Sequence, residues 1–236
     1  MSSGLKHRTF SAALADAAKA GRAPVISEIK CRSPKEGDLL AGRDPALLAA
    51  AMESAGAACL SVVTEPEHFG GSLQLLRTVV AATSLPVLRK DFLESVEDVE
   101  ATQNAGASCL LLIASLMDWP TLVALHREAH RQELETVVEV HNEDELRRAL
   151  TLDLDLLGIN NRDIRRLEVD DGTVANTLEL LAHVPPGIRA IGESAISTAE
   201  EVRAALDAGA QGVLVGTSIL RAPDAGAAVR RLVSLS

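Results

Sequence analysis

The chain has 236 residues, of which 47% are hydrophobic but only 2% aromatic, with no tyrosine, so its core must be built mainly from Ala, Leu and Val. The formal charge is −10 and no Lys/Arg block exceeds two residues. That argues against nucleic acid as a partner, because phosphate-backbone binding needs a clustered basic surface; a small anionic substrate needs only a few local donors. No apolar stretch approaches the ~18 residues of a membrane span, and MSSGLKHRTF at the N-terminus lacks the apolar core of a signal peptide. Cys31, Cys59 and Cys109 are odd in number and follow no metal-ligand spacing. Reduced thiols in a cytoplasmic protein are expected.

In chain order, short apolar runs alternate with helical patterns. The runs are APVISEI (23–29), ACLSVV (58–63), LPVLRK (85–90), CLLLIA (109–114), TVVEV (136–140), LLGIN (156–160), IRAIG (188–192) and GVLVG (212–216). Between them lie helix start and stop signals. Asp44 before Pro45 opens a helix that closes on Gly56, and Ser95 caps one that closes on Gly106. Asn142 precedes EDELRRAL, and Ser197 with Glu200 fits a capping box before a helix closing on Gly209. The phrase AGA recurs at 55–57, 105–107 and 208–210, where helix gives way to strand, as an internal βα repeat requires.

Eight strand–helix units in a chain of this length predict one (β/α)8 TIM barrel over residues 1–236, with 1–22 as an N-terminal helical extension. An open doubly wound sheet is the competing architecture. It would place a G-x-G-x-x-G turn after the first strand, where the chain has EIKCRSPKEG.

In such barrels the chemistry sits at the C-terminal ends of the strands. Alternation puts Glu28 and Lys30 on the same side of the first strand. The third strand ends in Lys90, where a buried run would not tolerate an unpaired ammonium. Glu139 lies among valines in the fifth, Asn160 ends the sixth, and Glu193 the seventh. Three carboxylates and two lysines therefore converge on one mouth, as general acid–base catalysis needs. Gly192-Glu193-Ser194 and Gly216-Thr217-Ser218, after the last two strands, offer backbone N–H groups and hydroxyls to a phosphate.

Those stretches, together with ISEIKCRSPKEG (26–37), LSVVTEPEHFGGS (60–72), LPVLRKDF (85–92), VVEVHNEDEL (137–146), LGINNRDIRRLEVD (157–170), IGESAIST (191–198) and GVLVGTSIL (212–220), resemble the indole-3-glycerol phosphate synthase family. The resemblance runs the length of the chain in family order. It implies a phosphate-binding barrel that uses no metal or organic cofactor and closes the indole ring of 1-(2-carboxyphenylamino)-1-deoxyribulose 5-phosphate with loss of CO2 and water. It implies Lys90 as general acid, Lys30 as a second cation active in dehydration, Glu139 as general base or charge stabiliser, and Glu28 and Glu193 as supporting carboxylates, with Asn160 beside them. Ser33, Pro34, Asn160 and Arg162 match the pocket for the anthranilate ring and its carboxylate, and Phe69 and Phe92 its apolar walls. Ser194, Ala195, Leu214, Gly216 and Thr217 complete the substrate-binding set. The partner expected is a small phosphorylated substrate, for a monomer, with association with other enzymes of tryptophan biosynthesis left open.

Two departures stand out. Ala195 replaces the glycine usual after Glu-Ser, and a positive φ there would weaken phosphate binding by ~1 kcal/mol. The segment before the first strand is shorter than usual for the family; its one helix, within RTFSAALADAAKAG (8–21), would leave part of the substrate cover missing. Alternatives remain: another phosphosugar enzyme of the same barrel type, expected to use a Cys/Asp pair where this chain has Glu-x-Lys, or a barrel kept for binding alone. Elsewhere, His126 and His130 share a helix face that reads as solvated rather than metal-binding, and His68 reads as a loop residue. His141 either tunes Glu139 or starts a turn, and Cys31 points away from the mouth.

Overall fold

The eight apolar runs become the eight parallel strands of a closed barrel, in which the first strand pairs with both the second and the last to complete the ring. The computed structural model describes residues 9–162 and 174–235. The barrel strands are β1 (Val25–Ile29), β4 (Cys59–Val63), β5 (Val87–Lys90), β6 (Cys109–Ile113), β7 (Glu135–Val140), β8 (Leu156–Asn160), β9 (Ala190–Glu193) and β10 (Gly212–Val215). A two-stranded antiparallel ribbon, β2 (Arg32–Ser33) with β3 (Gly37–Asp38), stands in the loop after β1 and was not foreseen from the sequence.

Helices α2 (Pro45–Ser54), α3 (Leu73–Ala81), α4 (Val96–Asn104), α5 (Trp119–Arg131), α6 (Glu143–Ala149), α7 (Ala175–Leu181), α8 (Ala199–Asp207), α9 (Thr217–Arg221) and α10 (Ala225–Val233) alternate with the strands, after α1 (Phe10–Lys19). Asp44, Ser95 and Asn142 cap α2, α4 and α6 as expected, Ser95 in a full box with Asp98. For α8 the expected box shifts by one residue: Thr198 caps and Glu201 closes the box, because the Glu201 carboxylate accepts N–H bonds from both Ser197 and Thr198.

Side-chain alternation divides the strands between two cores. Val25, Leu60, Val62, Leu110, Leu112, Val138, Val140 and Val213 face outward into the layer beneath the helices. Ile26, Leu88, Leu111, Val137, Leu156, Ile191 and Leu214 fill the barrel interior together with Phe10, Ala13, Leu14 and Ala17 of α1. Outside, the chain's single tryptophan, Trp119 at the start of α5, lies under the Arg148 guanidinium at 4.9 Å. His126, on the same helix, corrects the expectation of a solvated face. It is buried, with Nδ1 2.9 Å from Thr136 Oγ1 and Nε2 3.2 Å from the Asp153 carbonyl.

Helix α1 plugs the end of the barrel where the strands begin. Cys59, first in β4, donates its S–H to the Phe10 carbonyl at 3.5 Å, and Ser11 donates N–H and O–H to the carboxylate of Glu135, first in β7. This corrects the expected role of the N-terminal helix: it closes the face opposite the mouth and contributes no substrate cover. Phe10 is wholly buried there. Phe10→Ala is expected to cost about 3–5 kcal/mol in urea unfolding while leaving turnover of the folded protein near normal; a turnover loss at full stability would place α1 in the site.

Candidate active site

At the other end of the barrel the interior turns from aliphatic to charged within one side-chain layer. Leu88 and Lys90 share a face of β5, Val137 and Glu139 a face of β7, and Ile191 and Glu193 a face of β9, so each strand carries one apolar interior residue and then one ionisable residue at its C-terminal end. Between Leu88 and Lys90, Arg89 points outward. Its guanidinium is held by Asp91 at 2.9 Å, Thr64 at 3.1 Å, Thr102 at 3.0 Å and the Asp98 carbonyl at 2.9 Å. That clamp fixes the strand end on which Lys90 stands.

Lys90 Nζ lies 3.4 Å from Glu139 Oε2 and 3.4 Å from Glu193 Oε2, with both carboxylates fully buried. Across the ring, Lys30 Nζ lies 3.1 Å from Glu28 Oε1, both again buried. Burying such charges costs several kcal/mol per ion unless they are paired, and here they are paired. The five residues read from strand ends are therefore brought together. Two glycines make the room. A Cβ at Gly158 would collide with the Glu193 carboxylate, and one at Gly216 with that of Glu28.

The two glutamates facing Lys90 are not equivalent. Burial raises the Glu193 carboxyl to about 7, with Glu139 repelling its charge and the attraction of Lys90 only partly offsetting both. For Glu139 the same burial is outweighed by Lys90 and by His141, and the carboxyl is held down to about 2. His141 Nε2 stands 3.2 Å from Glu139 Oε1, and its Nδ1 stands 3.2 Å from Glu145 Oε2. Burial works against a charged imidazole, yet the two carboxylates raise His141 to about 9. Glu139 thus stays ionised at neutral pH, and Glu193 is the carboxyl of the two that takes up a proton first as pH falls.

Beside this cluster opens a cavity of about 410 Å3, lined by Glu28, Lys30, Arg162, Ser194, Ala195, Leu214, Gly216 and Thr217 among others. Ser218, expected from its place after the last strand, also lines it, as do Lys35 and Arg221, which were missed in the sequence. Phe69 and Phe92 meet Lys90, Leu111 and Ile113 around a small apolar slot. Phe69 is placed by Glu65, whose carboxylate accepts the N–H groups of Glu67, His68 and Phe69 at 2.8, 2.8 and 2.9 Å. Asn160 accepts the Arg162 N–H at 3.0 Å. Ser33 and Pro34 do not join this wall: Ser33 is buried in the β2–β3 ribbon, accepting the Glu36 N–H at 3.1 Å, and Pro34 is exposed. The DIRRLEVD part (163–170) of the LGINNRDIRRLEVD motif, which follows β8, lies outside the described residues.

Ser194 and Ala195 have φ of 64° and 54°. Asn161, also missed in the sequence, holds this turn: its Nδ2 donates to the Glu193 and Ser194 carbonyls at 3.0 and 2.9 Å. The condition attached to Ala195 is therefore met, and an alanine occupies left-handed backbone beside the cavity. Among the described residues, His126, His130 and Asp155 stand close enough to share a metal ion. Both ring nitrogens of His126 are already hydrogen-bonded, however, and the group sits on the outside of the barrel.

Lysines paired with glutamates at the mouth of a closed (β/α)8 barrel, beside a cavity with cationic and hydroxyl groups on its walls, define an acid–base enzyme of the TIM-barrel class. A family model described as indole-3-glycerol phosphate synthase matches residues 2–232. The indole-3-glycerol phosphate synthase of Thermococcus kodakarensis is 44% identical over 219 residues, covering 92% of this chain and 95% of that one. That of Pyrococcus furiosus is 42% identical over 217 residues (91% and 93%), and that of Chromobacterium violaceum 40% over 225 residues (95% and 84%). The chain belongs to the indole-3-glycerol phosphate synthase family, carboxy-lyases of tryptophan biosynthesis. No helix among the described residues is long and apolar enough to cross a membrane.

Two measurements follow from this geometry. Ala195→Gly relieves a left-handed alanine and is expected to stabilise the fold by about 1 kcal/mol, a rise of roughly 2–4 °C in Tm; an unchanged Tm would show the turn to be unstrained. Because His141 is raised from 6.5 to about 9, its contribution to stability is complete below about pH 6.5 and lost as pH rises through about 9. The unfolding free energy of the parent chain should show that decline, and His141→Gln should lack it.

Proposed function

We propose that the chain converts 1-(2-carboxyphenylamino)-1-deoxyribulose 5-phosphate into indole-3-glycerol phosphate, CO2 and water. The observation that carries this reading is Lys90, an ammonium held at the barrel mouth between two buried glutamates and against the apolar slot. A lysine so paired keeps its proton until a substrate oxygen takes it.

The aromatic ring of the substrate lies in the slot between Phe69 and Phe92, with its carboxylate toward Arg162 and Asn160. The sugar phosphate lies in the larger cavity, on the backbone and hydroxyls of Ser194, Ala195, Gly216 and Thr217, with Leu214 beneath the chain and Lys35 and Arg221 at the rim. Lys90 protonates the ketone oxygen as the aryl carbon bearing the carboxylate attacks the carbonyl carbon. Loss of CO2 from that carbon restores the aromatic ring. Lys30, kept charged by Glu28, assists departure of the new hydroxyl as water. Glu139, already ionised, stabilises the cationic ring nitrogen and accepts the proton lost on the way to the indole. These steps are redox-neutral: one carbon–carbon bond is made in ring closure, one is broken as CO2 leaves, one carbon–oxygen bond is broken as water leaves, and the rest is proton transfer.

Mixing the chain with that substrate should yield indole fluorescence. Lys90→Met is expected to lower kcat by about 10²–10⁴-fold, with substrate affinity changed far less. A parent chain that binds the substrate yet releases no indole would favour the alternative of a barrel that binds phosphate esters without this turnover.

A further inference from the structure

His141 remains outside the mechanism just given, although it touches the carboxylate on which that mechanism relies. We infer that His141 is a positioning residue: together with Glu145 it forms a relay from α6 that fixes the orientation and charge of Glu139 against Lys90. This inference rests on the proposed reaction for its catalytic consequence, and on the contacts alone for its structural one.

The contacts run in one line. Glu145, at the third position of α6, accepts the His141 N–H at 2.8 Å and faces the imidazole Nδ1 at 3.2 Å. Asn142, the cap of the same helix, donates Nδ2–H to the other oxygen of Glu145 at 2.8 Å and accepts the Glu145 N–H at 3.0 Å. The imidazole then presents Nε2 to Glu139 Oε1 at 3.2 Å, while Glu139 Oε2 meets Lys90 at 3.4 Å. Each oxygen of Glu139 is thus assigned to a different cation. Glu193 faces the same lysine at the same 3.4 Å without an imidazole such as His141 beside it among the described residues, and burial raises its carboxyl to about 7.

The surroundings of the imidazole support that assignment. From its own strand it faces Glu139, and from α6 Glu145; Asn176 of α7 donates to its backbone carbonyl at 3.3 Å. Ser115, Asn160, Asn161 and Arg162 share with it a polar cavity of about 320 Å3. Two carboxylates, each 3.2 Å from a ring nitrogen, favour the imidazolium. The relay also joins a surface helix to the reacting centre, so the capping geometry of α6 bears directly on the ion pair.

The test is the pH dependence of kcat in His141→Gln and Glu145→Gln, beside the parent chain. Glutamine keeps an N–H donor but carries no charge. The expected result is an acid limb of kcat displaced upward by about one unit as Glu139 loses a cation, so that the variant loses kcat on the acid side before the parent chain does, with recovery toward the parent value at pH 8 and KM within about twofold. Glu145→Gln should move the limb the same way by less. An acid limb that stays in place in both variants, or a loss of kcat equal at every pH, would overturn the relay and leave His141 a structural residue. An NMR titration of the imidazole decides the matter if a variant fails to fold or the parent chain makes no indole. A ring still protonated at pH 8 in the parent chain, and titrating lower in Glu139→Gln, supports the relay; a ring titrating near 6.5 in both refutes it.

Discussion

One ammonium kept out of water between two carboxylates makes the demand that the rest of this barrel meets. Lys90 needs opposite charge close by to remain protonated in a buried place, and the carboxylates need the lysine in turn. Neither side can be supplied by neighbours in sequence. Glu139 is two strands away and Glu193 four, and only a closed ring of strands in fixed register sets them 3.4 Å from the same nitrogen. The closed barrel is thus a condition of the chemistry as well as its support.

The barrel meets the demand by dividing its labour along the strand axis. Below the charged layer the interior is aliphatic, and α1 seals the bottom with Phe10 and Leu14. Above it lie the cavities and the loops that follow β9 and β10. The charged layer is packed tightly enough that two positions in it must have no side chain, Gly158 opposite Glu193 and Gly216 opposite Glu28. At the rim, the left-handed Ser194–Ala195 turn is tied by Asn161 to the end of β8.

Much of this was legible in the sequence, for definite reasons. Period-two alternation put Glu28 beside Lys30, and the caps at Asp44, Ser95 and Asn142 are local hydrogen bonds that sequence spacing reports directly. What was hidden depends on distant partners. The need for glycine at 158 arises from a glutamate on the next strand, and the burial of His126 from Thr136 and Asp153. The side of the barrel that α1 covers is a matter of docking, which its amphipathic pattern does not encode; the pattern shows only that one face must be buried. His141 was half legible. Alternation places it on the face of Glu139, but Glu145 is needed to see that it is held from both sides.

The position of Trp119 has an optical consequence. It lies outside the barrel against Arg148, and the chain contains no tyrosine. The walls of the mouth therefore hold no fluorophore stronger than phenylalanine. Emission from the one tryptophan reports on the docking of α5 and the integrity of the outer layer, and an indole formed at the mouth would add to it only as substrate is consumed. Unfolding and turnover can accordingly be followed in the same cuvette, the first through the chain's own indole and the second through the one it makes.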